Sequence, residues 1–427
     1  MNAQIQVIIA GTIFLFAYAL IMSEKIHRTV VALAGAILLI LCGVFTQQRA
    51  IESIDFNTIG LLIGMMVIVG ITKATGIFEY LAVYAAKAAK GKPVKIMVFL
   101  SAITAICSAL LDNVTTVLLI VPVTFAIVKQ LQTSPVPFLT AEIMASNIGG
   151  TATLIGDPPN IMIGSANGLG FMDFVINLTP VIIIVYIANI ICLKVIYKKE
   201  LFAREDLSRN IMSLEEKSEI KDALLLKKCL FVIFLTILGF ILHQYINIAS
   251  ATVALAGATL LLLVSKVEPE RALAAVEWPV IFFFTGLFIM VGALEQVGII
   301  EFIAEKSLAL TGGVLLPTGL LILWLSAIAS AFVDNIPFVA AMIPLIQDMS
   351  RLGSIQDVTP LWWALSLGAC LGGNGTLIGA SANLVVAGMA EKRGIHITFA
   401  GYIKIAFPAM LLSIIICTFY LFIFYLR

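Results

Sequence analysis

Two Asp-Asn dipeptides sit in the middle of apolar segments 222 positions apart: Asp112-Asn113 in SALLDNVTTVLLIVPV and Asp334-Asn335 in SAFVDNIPFVAAMIPL. A carboxylate at bilayer depth costs about 2.5–3.5 kcal/mol on insertion scales, so an intramembrane Asp marks an ion or substrate pathway. The same dipeptide also suits a helix N-cap, and a capping Asp remains able to take a proton or face a cation. Each dipeptide has polar company. The first half offers Ser108, Thr115 and Thr116 beside Asp112-Asn113, then Asn147, Gly150, Thr151, Thr153, Asp157 and Asn160 in a glycine-broken stretch. The second offers Ser330 beside Asp334-Asn335, then Asn374, Thr376, Ser381 and Asn383. Carboxylates, hydroxyls, amide oxygens and carbonyls freed at a helix break together suit a dehydrated Na⁺, with Asp112, Asn113, Asp334 and Asn335 as the expected ligands. The N-termini of the half-helices after Gly156 and Gly379 present free N–H groups that favour an anion, so cation and anion sites can coexist. Ser, Thr and Asn also join membrane helices through hydrogen bonds, and that structural reading stands beside the functional one for Thr116 and Asn147. Asp157 has no acidic counterpart, because Ala380 stands at the matching position. The charged ligand site is therefore expected in the first half.

The elements that position these residues must be membrane helices. The chain of 427 residues is 61% hydrophobic and 12% charged, with a mean hydropathy of +1.09, which fits a polytopic membrane protein. A net charge of +1 argues against a nucleic-acid partner. The six cysteines fall singly in or beside apolar segments and read as small buried hydrophobes. Residues 5–22 lack a basic leader and a small-residue cleavage site and read as a retained first span. No nucleophile–base pair, HExxH or phosphate loop is present, so an enzyme is not expected.

An internal repeat organises the chain. VALAGA occurs at 31–36 and again at 253–258, and the same offset pairs Gly64 with Gly286, Gly76 with Gly298, Asp112 with Asp334 and Pro122 with Pro344. At an offset of 223, GGTATLIGDPPN (149–160) matches GGNGTLIGASAN (372–383). The first repeat, 1–197, contains spans at 5–22, 29–45 and 57–74, an interfacial amphipathic segment at 76–91, a hairpin at 95–129, a broken span at 139–166 and a last span at 172–197. The hairpin arms, at about 15 residues, are expected to be too short to cross, which makes the hairpin re-entrant. The second repeat, 226–427, places its hairpin at 316–350 and its broken helix at 360–390. Five full spans per repeat is an odd number, so the second repeat is expected to be inverted, and the protein to be all-α with ten spans, two re-entrant hairpins and two interfacial helices. With the hydrophilic linker 198–225 in the cytoplasm and both termini outside, only Arg49, Lys306, Arg351 and Arg427 of the 26 Lys and Arg lie outside. Within the linker, Ser213-Leu214-Glu215-Glu216 fits a capping box that would start a surface helix. Glu142 is expected to lie shallow, Lys194 and His243 to snorkel, and Pro122 and Pro344 to kink the outgoing hairpin arms.

On the motifs DNVTTVLLIVPVT (112–124) and NIGGTATLIGDPPNIMI (147–163), the chain resembles an ion-transporter superfamily. That superfamily includes arsenite permeases, NhaD-type sodium/proton antiporters, the P protein and dicarboxylate/sodium symporters; the P protein branch is the nearest in pattern. The resemblance covers nearly the whole chain. It implies a homodimer with a scaffold domain and a moving transport domain that carries hairpins and broken helices in an elevator motion. In the dicarboxylate symporters the tips carry Ser-Asn-Thr; here they read Asp112-Asn113-Val114-Thr115 and Asp334-Asn335-Ile336-Pro337. The added negative charge favours cation or proton binding over a dicarboxylate substrate.

The expectation is a multi-pass cell-membrane protein: an ion-coupled secondary transporter that needs no cofactor beyond Na⁺ or H⁺. Sodium/proton antiport is its sharpest form. The alternatives are a permease for an anion such as arsenite or a carboxylate, coupled to those cations, and a channel-like anion pathway.

Overall fold

In a bilayer every backbone N–H and C=O must find its partner within the chain, and an apolar run does this by coiling into helix. The computed structural model describes residues 2–23, 25–198, 200–201, 212, 215–352, 355 and 357–426. Among the described residues the regular structure is helical throughout. The helices are α1 (Ala3–Ser23), α2 (Arg28–Leu41), α3 (Gln47–Glu52), α4 (Phe56–Lys73), α5 (Ile77–Ala88), α6 (Pro93–Leu110), α7 (Asn113–Leu131), α8 (Val136–Thr151), α9 (Pro158–Asn167) and α10 (Phe171–Ile196). The second series is α11 (Ala223–Leu242), α12 (Ser250–Ser265), α13 (Pro269–Leu273), α14 (Trp278–Gln296), α15 (Ile299–Thr311), α16 (Leu315–Phe332), α17 (Asn335–Arg351), α18 (Thr359–Gly372), α19 (Ser381–Glu391) and α20 (Phe399–Phe424). Each helix of the first series has its counterpart ten places on, down to the short helices α3 and α13, which the sequence reading did not anticipate.

The repeated small residues explain how the two series meet. A Cβ on Gly64 of α4 would lie 2.6 Å from the backbone of Ala254 on α12, and one on Gly286 of α14 would lie 2.6 Å from the backbone of Ala32 on α2. Ala32 and Ala254 are equivalent positions of the two VALAGA segments, so the same Gly–Ala contact is made twice with the roles of the repeats exchanged. Small residues at such crossings let helix backbones approach closely without a hydrophobic driving force. Gly76 and Gly298, before α5 and α15, adopt φ of +81° and +79°, a left-handed turn that a side chain would strain. Large apolar side chains such as Leu15, Leu41, Val195 and Leu263 stand on the outer surface, where a bilayer solvates them.

Helices α6 and α7 form the first hairpin around Asp112, and α16 and α17 the second around Asp334. The arms are longer than expected: 18 and 19 residues in the first hairpin, 18 and 17 in the second. Three of the four are long and apolar enough to cross a membrane, so arm length does not make them re-entrant. The helices start earlier because Pro93 supplies an N1 residue for α6, and Pro122 and Pro344 sit inside α7 and α17 without ending them. Both broken spans interrupt where the glycines cluster, at 152–157 between α8 and α9 and at 373–380 between α18 and α19. In the linker, Glu216–Glu219 forms a 3₁₀ turn, Lys87 of α5 pairs with Glu216, and Lys221 N donates to Thr75 O at 2.9 Å. The expected capping box falls partly on Ser213 and Leu214, which lie outside the described residues.

Candidate ion-binding site

The hairpin tips divide labour between their two residues. Asp112 caps α7, its Oδ1 accepting from Thr115 N at 2.8 Å; Asp334 caps α17, accepting from Ile336 N at 3.1 Å. With the aspartates turned to the cap, the asparagines begin the outgoing helices and point inward. Asn113 and Asn335 are both buried, and their amides converge on one carboxylate, that of Asp157. Asn113 Nδ2 lies 3.4 Å from Asp157 Oδ1, and Asn335 Nδ2 lies 3.4 Å from both carboxylate oxygens. Asp157, placed by the break before Pro158, is 1% exposed. No Lys, Arg or His pairs with it among the described residues.

Those three contacts are long for hydrogen bonds, whose usual range ends near 3.2 Å. A carboxylate has about four lone-pair directions to fill. Asp157 is therefore loosely held by neutral donors, deep in the protein, with capacity left for a cation or a proton.

Around it lies an asparagine cluster. Asn113 Nδ2 donates to Asn147 Oδ1 (3.1 Å), and Asn147 Nδ2 donates to Asn374 Oδ1 (2.9 Å) and Asn383 Oδ1 (3.0 Å). Both broken spans and the first hairpin tip are thus joined in one chain of amides. Thr116 Oγ1, one turn along α7 from Asn113, is buried and has no hydrogen-bond partner among the described residues.

Other expected site residues are spent on shaping the breaks. Asn160 donates to Thr151 O and Thr153 O, while Asn383 does the same for Gly373 O and Thr376 O. These carbonyls lost their helical donors where the spans unwind. Ser108 donates to Ser146 O, and Ser330 to Ala369 O at the equivalent place; Thr153 donates to Ala109 O, and Thr376 to Ala331 O. Thr151 Oγ1 bonds back to Asn147 O, and Thr115 contributes its backbone N–H to the Asp112 cap. Gly150 lets the break fold onto the helix, since a Cβ there would meet Gly156 O at 2.5 Å.

Asp334 is placed differently from Asp112. Arg28 Nη1, at the start of α2, lies 2.7 Å from its Oδ2, and Ser381 Oγ donates to the same oxygen at 2.8 Å. The sequence reading missed Arg28, which it counted only as a cytoplasmic positive charge; no local signal ties residue 28 to residue 334. It also missed Ser366 Oγ, which donates to Asn160 Oδ1 at 2.6 Å. Glu142, expected to be shallow, is 1% exposed and accepts from Thr124 Oγ1 at 2.5 Å, because α7 packs along α8 and covers it. His243, expected to snorkel, is buried, with Nδ1 2.9 Å from Ile248 O at the turn after α11.

Comparison with known proteins fits this architecture. A family model described as a citrate transporter matches residues 18–368. An uncharacterized transporter of Mycobacterium tuberculosis is 44% identical over 419 residues, covering 97% of each chain, and a 46 kDa membrane protein of Mycobacterium leprae is 41% identical, covering 98% of this chain and 99% of that one. The P protein of Homo sapiens is 34% identical over 96% of this chain and 59% of its own length. Among solved structures, the YdaH transporter of Alcanivorax borkumensis superposes with a TM-score of 0.61 at 13% identity, covering 90% of this chain and 88% of that one. At that identity the likeness is one of fold.

Proposed function

The chain belongs to the citrate transporter family and is a secondary transporter; from that premise we propose that Na⁺ or H⁺ loaded at Asp157 drives it. One observation carries the reading: a fully buried carboxylate receives one amide from each hairpin tip, both at long range, and no basic side chain. An uncompensated buried charge is costly, and a cation or a proton removes that cost. Loading also changes what the tips meet. An ionised Asp157 accepts from Asn113 and Asn335, whereas a bound cation draws their amide oxygens inward instead, so occupancy is sensed by both repeats at once. In its sharpest form the reaction is exchange of Na⁺ for H⁺, with the two cations competing for one carboxylate. The hairpins and broken helices then move together as the transport body, and the Arg28–Asp334 contact is one of the bonds that movement breaks.

A second reading, cation-coupled movement of a small carboxylate, is favoured by the family's description and by the arginine beside the second hairpin tip. Proteoliposomes loaded with a pH dye test the first. Na⁺-driven proton movement that disappears in Asp157→Asn supports exchange at this residue. Proton flux that ignores both Na⁺ and the substitution refutes it. Uptake of citrate driven by the same gradients, without net exchange, selects the second reading.

A further inference from the structure

Beside the second hairpin tip lies a cavity of about 280 Å³, lined by His27, Arg28, Asp334 and Ser381 together with aliphatic side chains that include Ile21 and Leu384. The volume falls just below the roughly 300–1,000 Å³ of sites that bury a drug-sized ligand, which suits a small one. Arg28 is held there with care. Its guanidinium carbon lies 5.0 Å from the centroid of the Phe283 ring on α14, and its Nη1 reaches both Asp334 Oδ2 (2.7 Å) and Ser381 Oγ (2.6 Å).

The contact with Asp334 is end-on. A guanidinium and a carboxylate usually meet as two parallel hydrogen bonds, fork to fork. Here one nitrogen meets one oxygen, because Asp334 Oδ1 is engaged by Ile336 N in the helix cap. Among the described residues Nη2 and Nε of Arg28 make no hydrogen bond, so three of its five N–H donors remain for a ligand. The first hairpin tip has nothing comparable: Ser250 stands at the position equivalent to Arg28, and Pro158 at the position equivalent to Ser381.

We infer that Arg28 and Ser381 form the binding site for a small carboxylate anion, and that Asp334 is an internal competitor for it. In the resting state the Asp334 carboxylate occupies Arg28. An incoming carboxylate takes the free edge of the guanidinium and the Ser381 hydroxyl, and Asp334 keeps only its cap. Anion entry thereby releases the tip of the second hairpin from α2. No covalent bond is made or broken; the displaced Asp334 carboxylate stays at its cap beside the bound anion, so the site gains the anion's negative charge and the repulsion between the two carboxylates opposes binding. The inference deepens the carboxylate reading above and rests on it for its physiological role, but not for the binding itself.

The test is equilibrium binding of citrate to the full-length protein in detergent, by calorimetry, in Na⁺-free buffer at fixed pH. Asp334→Asn keeps an N-cap residue, so the hairpin turn is preserved, yet removes the competing charge. Citrate is expected to bind this variant about ten- to a hundredfold more tightly than the native chain, the range a charge-assisted hydrogen bond supports. Arg28→Gln is expected to abolish binding, in the native background and in the Asp334→Asn background alike, and Ser381→Ala to weaken it. Equal or weaker citrate binding by a monodisperse Asp334→Asn protein overturns the proposal. So does undiminished binding by Arg28→Gln, or binding of inorganic phosphate with none of citrate. If Asp334→Asn does not fold, the native chain against Arg28→Lys decides: equal affinity overturns the proposal, because a lysine lacks the planar edge. Because no Na⁺ is present, failure here is distinct from failure of cation loading at Asp157, which is read from the flux assay.

Discussion

Replacing Asp157 by Asn changes one oxygen for an NH₂ and removes the charge, so it isolates cation loading from packing. The fold is expected to tolerate it. The carboxylate's amide contacts are all at 3.4 Å, its remaining neighbour is the neutral Cys370 thiol, and an amide keeps one oxygen to accept from Asn113 or Asn335; losing a contact that weak costs no more than about 1 kcal/mol. The loss in cation binding is larger. At an effective dielectric of about 20, a monovalent ion roughly 2.4 Å from a carboxylate oxygen gains about 7 kcal/mol of Coulomb energy before its dehydration is subtracted. A charge-assisted contact retains about 1.5–3 kcal/mol of such a gain, which corresponds to roughly a ten- to hundredfold weaker ion affinity when it is lost. The assay is thermal unfolding of the purified protein while NaCl replaces choline chloride at constant ionic strength, repeated across pH. A ligand at a hundred times its Kd stabilises the native state by about 2.7 kcal/mol, so the native chain's midpoint should climb with Na⁺ or with acid. The Asp157→Asn midpoint should start close to the native value and stay flat. A variant that retains the full ion response, or an Asp112→Asn variant that loses it while Asp157→Asn does not, refutes the assignment.

Three further outcomes follow from the same geometry. Asn160→Ala strands Thr151 O and Thr153 O and the Ser366 hydroxyl; at about 1–3 kcal/mol for each buried group left unpaired, it should lower the unfolding midpoint and abolish transport together. Gly150→Ala drives a Cβ to 2.5 Å from Gly156 O, whereas a Cβ on Gly388 in α19 meets nothing within 4 Å. The first should cost at least about 1–3 kcal/mol and the second should stabilise by roughly 0.5–1 kcal/mol, so equal midpoints for the two alanine variants would count against the close approach at the break. In the linker, the hydrogen bond from Lys87 holds the Glu216 carboxyl below the usual carboxylate range. A depressed carboxyl contributes above its ordinary value, about pH 4.3, and that contribution is lost as pH falls through the lowered one. Corrected amide exchange in the last turn of α5 should therefore accelerate only below about pH 4, and a Glu216→Gln protein should show no such step.

How much of this was legible beforehand depends on the range over which each signal acts. Hairpins and breaks are written locally. Asp-Asn between two apolar runs announces a capped turn, and Gly-Gly followed by Asp-Pro-Pro announces an unwound stretch. The repeat was legible because Gly64, Gly286 and the two VALAGA segments must keep register to let α4 and α14 approach α12 and α2. Arm length was misjudged because composition blurs at the ends of α6 and α17, where lysine, proline and glutamine continue a helix whose apolar run has stopped. The burial of Glu142 could not be read, since it depends on α7 lying over α8 rather than on anything near residue 142. The pairing of Arg28 with Asp334 spans 306 positions, and only the packing of α2 against the second tip brings them together.

The departures from symmetry carry more information than the symmetry. Two repeats that make the same Ser-to-carbonyl, Thr-to-carbonyl and Asn-to-carbonyl bonds at each break would, if identical throughout, offer two equivalent sites. They differ where charge is concerned: Asp157 faces Ala380 across the repeat, and Arg28 faces Ser250. The first half thus holds a buried negative charge with no basic partner among the described residues, and it also supplies the arginine set against the aspartate of the second tip. Because Asn335 of the second tip also reaches Asp157, the uncompensated charge is felt by both hairpins. A cation at Asp157 and an anion at Arg28, as proposed, would act on the same hairpin tip through Asn335 and Asp334, which are adjacent in the chain. Coupling between them needs no long relay: moving one of these two residues moves the other.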